Sequence, residues 1–261
     1  MAKAYTYDHA WDDERIRLAG LEAALDPGTR AHCERLGIER GWRCLEIGAG
    51  GGATACWLAE RVAPDGRVVA TDLEPDFLER EVARLPTLEA LRHDIMADDL
   101  PGGYDLVHAR WLVEWLPDRR LALRRMVGAL RPGGVLLVEE PDFGNVLHTA
   151  QPLAWRRVLV AGIRELEATT PVDVQYGRRL LDDVSTLGLR DVAAEARAAI
   201  VRGGSPPAAH FLRLTFEKLR PALLGAHGLT EAELSEAFAA LLDPSLTLAM
   251  PLTVAAWGWR P

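Results

Sequence analysis

The stretch Arg43-Cys44-Leu45-Glu46-Ile47-Gly48-Ala49-Gly50-Gly51-Gly52 is a short apolar run followed by four glycines within five residues, and a helix-like segment, Ala53 to Arg61, comes next. A strand, a tight glycine turn and a helix N-terminus together make a place where a nucleotide-like ligand lies against backbone.

Outward from this stretch the chain alternates. Arg67–Thr71 reads as a second strand and Glu74–Arg84 as a helix with Pro75 near its first turn. Leu88–His93 is a weaker third strand, Tyr104–Ala109 a fourth, and Asp118–Leu130 the helix after it. Arg131-Pro132-Gly133-Gly134 stops that helix, and Val135–Glu139 is a fifth strand. Short apolar strands alternating with helices predict a mostly parallel sheet covered on both faces. Upstream, residues 8–40 read as charged and helical, with Asp26-Pro27-Gly28 breaking them into two helices.

After Glu140 the pattern changes. Trp155, Val158, Leu159, Ile163 and Leu166 recur at helical spacing, as do Phe211, Leu212, Phe216, Leu219 and Leu223. Leu189–Ile200 reads as a sixth strand, Glu231–Leu242 as a last helix, and the tail Leu246–Trp259 as a final strand. The two amphipathic helices follow strands five and six, which suits elements that roof the carboxyl end of the sheet, where open α/β folds bind ligands. The expected organisation is an N-terminal helical segment at 1–40 covering the ligand site, then one domain at 41–261 with cap elements near 143–186 and 206–224.

Composition narrows the class. The 261 residues are 49% hydrophobic, enough for a full core, and carry a net charge of -8. Lysine occurs only at positions 3 and 218, so nucleic acid is disfavoured as a partner. No run approaches the roughly 18 apolar residues that span a bilayer, so no membrane insertion is expected. Cys33, Cys44 and Cys56 form neither a disulfide framework nor a metal knuckle. The plain expectation is a cytoplasmic protein with no metal, and a homodimer is among the assemblies open to it.

Two ligand classes fit the glycines. Gly48-x-Gly50-x-x-Ala53 satisfies a dinucleotide fingerprint, and Asp72 supplies the acidic residue about 20 positions on that accepts ribose hydroxyls. Glu46 discriminates between them. A carboxylate just before the turn is unwelcome beside a pyrophosphate and useful beside a cation. S-adenosylmethionine carries an amino group and a sulfonium.

Here the sequence resembles the class I S-adenosylmethionine-dependent methyltransferases, and among them the small-molecule branch of the ubiquinone/menaquinone-biosynthesis type. The matching pieces stand in order: Leu45 to Gly52, Val69 to Glu74, Leu91 to Ile95, Tyr104 to Arg110, and Leu130 to Glu139. The resemblance implies a Rossmann-like seven-stranded sheet in the order 3-2-1-4-5-7-6 with the last strand antiparallel. It implies that Glu46 and the backbone at Gly48 and Gly50 hold the methionine part of the cofactor. By the same resemblance Asp72 binds the ribose, Leu73 packs on the adenine, and Asp94 takes the adenine amino group with the Ile95 amide nearby. The match at Asp94 is partial, and Asp98 or Asp99 is the alternative for part of its role. Arg110 would line the cofactor and face the acceptor.

Methyl transfer from a sulfonium is a direct displacement, so donor and nucleophile must be aligned and water excluded. Ala109-Arg110-Trp111-Leu112 replaces the Asn-Pro-Pro-Tyr run of the adenine- and glutamine-methylating branches, which leaves a small, partly apolar metabolite as acceptor. O-methylation would use a base, for which His148, His108 and His210 are the candidates. Glu140 and Asp142, at the end of strand five, are placed to orient an acceptor or hold a metal. Tyr5, Tyr7 and Trp11 suit an aromatic lid over the cofactor, with Tyr7 in contact with it, and Trp111, Trp115, Phe143 and Trp155 an aromatic acceptor wall. The alternatives are N- or C-methylation by proximity, a catalytically inactive or non-methylating relative, and an NAD-dependent oxidoreductase.

Overall fold

The computed structural model describes Tyr7, Trp11 and residues 13–148, 152–204 and 206–261. Tyr5 of the expected aromatic lid lies outside the described residues. The chain opens with α1 (Glu14–Arg35), then β1 (Arg43–Ile47), α2 (Ala53–Val62), β2 (Arg67–Asp72), a 3-10 turn at Pro75–Leu78, α3 (Glu79–Arg84) and β3 (Leu88–Arg92). β4 (Tyr104–Arg110) follows, with a 3-10 turn at Val113–Trp115, then α4 (Arg119–Ala129) and β5 (Leu130–Asp142). The second half holds α5 (Gly144–Leu147), α6 (Leu153–Thr169), α7 (Gly177–Ser185), β6 (Arg190–Arg197), β7 (Ile200–Arg202), α8 (Pro206–Glu217), α9 (Arg220–Gly225), α10 (Glu231–Leu241), β8 (Thr247–Ala249) and β9 (Leu252–Trp259).

The main sheet has seven strands in the order β3-β2-β1-β4-β5-β9-β6. Counted within that sheet, this is the expected 3-2-1-4-5-7-6. β1 to β5 pair in parallel, and β9 runs antiparallel to both β5 and β6. The near-continuous apolar burial of β4 and β5 follows from cover on both faces. On one face Cys33 of α1 and Leu36, which follows it, pack with α2 against the sheet. On the other, α4 and α7 do so. A third core joins α6, α8, α9 and α10 with Tyr7 and with Leu248 of β8. No described helix is long and apolar enough to cross a membrane.

Several expected boundaries moved, each for a physical reason. Asp26-Pro27-Gly28 does not break the N-terminal segment, because α1 runs through Pro27. A mid-helix proline costs a hydrogen bond and a steric clash, but here both flanks are tied to the sheet. Arg110 donates to Asp26 Oδ1 at 2.9 Å and to Thr29 Oγ1 at 2.8 Å. The expected sixth strand divides: β6 joins the main sheet, while β7 pairs with β8 in a separate two-stranded sheet. The expected tail strand divides likewise into β8 and β9, around Met250-Pro251. The second amphipathic helix breaks into α8 and α9, with Pro221 in the first turn of the latter. Arg131 to Gly134 does not separate helix from strand as a free turn. It is carried inside β5, with a register shift opposite Tyr104 and Leu106.

Candidate active site

At the end of β1 the chain turns back through Gly48 and Gly52, whose φ angles are 71° and 91°. Side-chain-bearing residues rarely adopt these values. Room is equally strict. A Cβ at Gly51 would come within 2.6 Å of the Glu22 carboxylate, and one at Gly52 within 2.2 Å of Leu78. The Gly50 N–H donates to Asp72 Oδ2 at 2.8 Å and the Glu74 N–H to Asp72 Oδ1 at 3.1 Å. Asp72 therefore links the end of β2 to the glycine turn. α1 lies over that turn: Leu18 faces Gly50, and Glu22 accepts from the Ala53 N–H at the start of α2 at 3.1 Å. Burial pushes the Glu22 carboxyl up to about 7, and the Ala53 hydrogen bond only partly opposes this.

Beside Asp72, Leu73 is 52% exposed, unusual for a large apolar side chain next to a strand end. Asp94 follows β3, the next strand over. Its Oδ1 accepts from the Met96 N–H and its own N–H donates to Asp98 Oδ2, both at 2.8 Å, so Asp98 shapes the Asp94 loop, while Ile95 is buried. A carboxylate for a ribose diol, an exposed apolar platform and a second carboxylate, at adjoining strand ends, fit an adenosine moiety.

Glu46 and His108 are register partners across β1 and β4. His108 Nδ1 lies 2.6 Å from Glu46 Oε2, and Nε2 lies 3.2 Å from Glu139 Oε2. All three side chains are buried. Burial alone would push the imidazole down. The Glu46 charge and the hydrogen bonds to Glu139 and Glu46 outweigh it and raise the group to about 9. Burial likewise pushes Glu139 up, yet the hydrogen bonds from His108 and His32 hold it far below the usual carboxylate range. The network continues into α1. Thr29 Oγ1 donates to Glu139 Oε2 at 2.5 Å, and His32 bridges Glu139 at 2.6 Å and Glu195 at 2.9 Å. His108 is thus a buried cation between two carboxylates, and an imidazole that keeps its proton to about pH 9 cannot take one at neutral pH.

The remaining expected residues fall as follows. Arg110 sits at the end of β4 but spends its guanidinium on Asp26 and Thr29 of α1. His148 is exposed just past α5, and His210 is half-buried on α8. Glu140 is fully buried and accepts from the N–H groups of Leu112, Val113 and Glu114, so it shapes the loop after β4. Asp142 forms a two-pronged pair with Arg178. Both carboxylates are engaged in holding loops. Trp111 stacks near Phe143 and Phe211, with ring centroids 5.9 and 6.1 Å away, whereas Trp155 packs on Phe216 in the helical core. Tyr7 is buried, its hydroxyl donates to the Thr215 carbonyl at 3.1 Å, and its ring meets Trp115 edge-on. Trp11 packs partly buried against the same core.

Sequence reasoning passed over Glu139, Thr29, His32 and Glu22. The only local signal was polarity in the wrong place: Glu139 ends an apolar strand, and α1 has no clean apolar stripe because the face it turns to the sheet is partly charged.

A seven-stranded sheet with a glycine turn after β1 and carboxylates after β2 and β3 defines a nucleotide-cofactor α/β enzyme fold. Residues 45–136 match the model of the methyltransferase domain family. The chain is 30% identical over 234 residues to a trans-aconitate 2-methyltransferase of Azoarcus sp. strain BH72, covering 83% of this chain and 87% of that protein. It is 36% identical over 132 residues to a protein of the same name from Methylobacterium radiotolerans, of which it spans 46%. Among solved structures, the Haemonchus contortus N-methyltransferase 2 bound to phosphomonomethylethanolamine and S-adenosylhomocysteine superposes with a TM-score of 0.60 at 15% identity, over 99% of this chain and 60% of that one. The [4+2]-cyclase SpnF superposes with a TM-score of 0.53 at 18% identity, over 92% of this chain and 82% of that one. The chain belongs to the class I S-adenosylmethionine-dependent methyltransferases.

Proposed function

We propose that this protein transfers a methyl group from S-adenosylmethionine to a carboxylate oxygen of a small, partly apolar polycarboxylic acid. Trans-aconitate, the acid in the names of its relatives, is the first acceptor to test. When bound, the cofactor supplies an electrophilic methyl: the acceptor oxygen bonds to the methyl carbon as the carbon–sulfur bond breaks and its electron pair stays on sulfur. A carboxylic acid ordinarily ionises near pH 4, so at neutral pH the nucleophile is already an anion.

The observation that carries this reading is the state of the expected bases. His108 is held as a cation by Glu46 and Glu139, and His148 is exposed. An ionised acceptor asks for neither. What it asks for is alignment and exclusion of water. In this reading Asp72, Leu73, Asp94 and Ile95 hold the adenosine, and the turn at Gly48 and Gly50 takes the methionine part. α1 covers both, tied down through Arg110. The helices α6 and α8 roof the acceptor, with Trp111 and Phe143 as its wall.

The test is product chemistry. Incubation with S-adenosylmethionine and trans-aconitate should yield S-adenosylhomocysteine and a monomethyl ester that dilute alkali hydrolyses. Turnover of amines or alcohols to alkali-stable products, with no ester from any carboxylic acid, would overturn the reading.

A further inference from the structure

One cation lies on the inner side of α1, away from the network around His108. Arg17 is buried, and its Nε and NH2 groups donate to the two oxygens of Glu14, each at 2.7 Å. Glu14 is buried as well. The surroundings are aromatic. The guanidinium carbon stands 4.2 Å from the centre of the Tyr7 ring and 5.8 Å from that of Phe211. Tyr7 meets Trp115, and Phe211 meets Trp111, each at 6.1 Å. An arginine fork in an aromatic enclosure is a carboxylate receptor by geometry, since the planar fork matches the two oxygens and the ring faces favour the cation. Close by, the Tyr7 hydroxyl reaches the carbonyl of Thr215, and the buried Thr215 Oγ1 has no hydrogen-bond partner among the described residues.

The position is right for an acceptor. Leu18, the next residue, lies over Gly50, and Glu22 lies over Gly51. One helix therefore turns Arg17 toward the aromatic enclosure and Leu18 toward the glycine turn. Trp111, on the enclosure side, follows directly on β4 and holds the left-handed φ of 52°. That conformation is costly for a bulky residue, and the indole N–H donates to Thr253 Oγ1 at 3.2 Å.

We infer that Arg17 anchors a non-reacting carboxylate of the acceptor, and that Glu14 stands in for that carboxylate in the free protein. This rests on the carboxyl-methylation reading above. A buried guanidinium that loses a carboxylate from its fork is costly, so those two hydrogen bonds must be made in both states. An incoming carboxylate restores the same two hydrogen bonds. Glu14 is the first residue of α1, where a carboxylate released outward still meets the favourable end of the helix. The arrangement selects acids with at least two carboxylates, one on Arg17 and one offered to the methyl group.

The experiment is calorimetric titration of the S-adenosylhomocysteine-loaded protein with trans-aconitate and with crotonate, a monocarboxylate, alongside turnover of trans-aconitate. Arg17→Gln should weaken trans-aconitate binding by about tenfold or more, as expected for loss of charge-assisted hydrogen bonds, with S-adenosylhomocysteine affinity unchanged. Arg17→Lys should fall between the two, because the charge survives and the fork does not. Glu14→Gln, which keeps the buried neighbours, should bind trans-aconitate at least about threefold tighter by removing the competing charge, and serves where the arginine variants do not fold. Crotonate should bind far more weakly than trans-aconitate. Equal trans-aconitate affinity in wild type and Arg17→Gln, or in wild type and Glu14→Gln, overturns the anchor and leaves the methylation reading intact. Arg17-dependent binding without turnover overturns the methylation reading and leaves the anchor. Absence of binding by the wild type overturns both.

Discussion

Replacing His108 by Asn removes the one buried cation shared by Glu46 and Glu139, and the consequence is best read against pH. In the folded protein the imidazole is raised from 6.5 to about 9. A group raised on folding adds stability that is fully present below its unfolded pKa and is lost as pH climbs through the folded one. The window is therefore about pH 6.5 to 9. At ~1.4 kcal/mol per pH unit the wild type should lose about 3 kcal/mol of unfolding free energy across it, as an order of magnitude. Glu22 and Glu140, each raised by burial to about 7, also make stability fall with rising pH, but mainly between pH 4.5 and 7, and they do so equally in both proteins. The difference between wild type and His108→Asn isolates the histidine. Urea unfolding followed by tryptophan fluorescence at pH 6, 7, 8 and 9 measures it. At pH 6 the variant should be less stable by about 3–5 kcal/mol, the cost of leaving buried charges uncompensated. That gap should narrow by about 3 kcal/mol by pH 9. A gap that stays constant across the range would show that His108 is not charged in the folded protein, and the argument against it as a base would fall with it.

Other expected outcomes follow from the same geometry. Asp72→Ala should lower S-adenosylhomocysteine affinity by about tenfold or more in calorimetry, because the carboxylate holds the Gly50 N–H and, in the reading proposed above, the ribose, while Asp72→Asn should be milder. Gly52→Ala should cost about 2–4 kcal/mol in thermal or urea unfolding, combining a left-handed φ of 91° with a Cβ 2.2 Å from Leu78; an unchanged midpoint would mean the turn is looser than described. His148→Ala should change kcat for an acidic acceptor by less than about fivefold, whereas a loss of about 100-fold with cofactor affinity intact would restore a base at that position.

What the sequence determined by itself was local. The glycine turn, the acidic residues after strands two and three, and the alternation of apolar strands with helices are written in runs of ten residues or fewer, because periodicity and backbone chirality act over that range. From them the mostly parallel sheet could be read, since few topologies satisfy a βαβ pattern, while the strand order and the cofactor came with the resemblance to the methyltransferase family. Tertiary structure decided everything that depended on one element's choice of neighbour. Pro27 reads as a helix breaker until Arg110 is seen holding Asp26 and Thr29 on either side of it. His108 reads as a base until β1 and β5 set Glu46 and Glu139 against its two nitrogens. Within the charged, helical reading of residues 8–40 nothing singles out Arg17, and only the packing of α1 turns it inward toward Tyr7 and Phe211. In each case the side chain's identity was visible from the start. Its charge state and role were not, because these are set by burial and by partners up to about two hundred residues away in the chain, where electrostatics in a low-dielectric interior outweigh local preference.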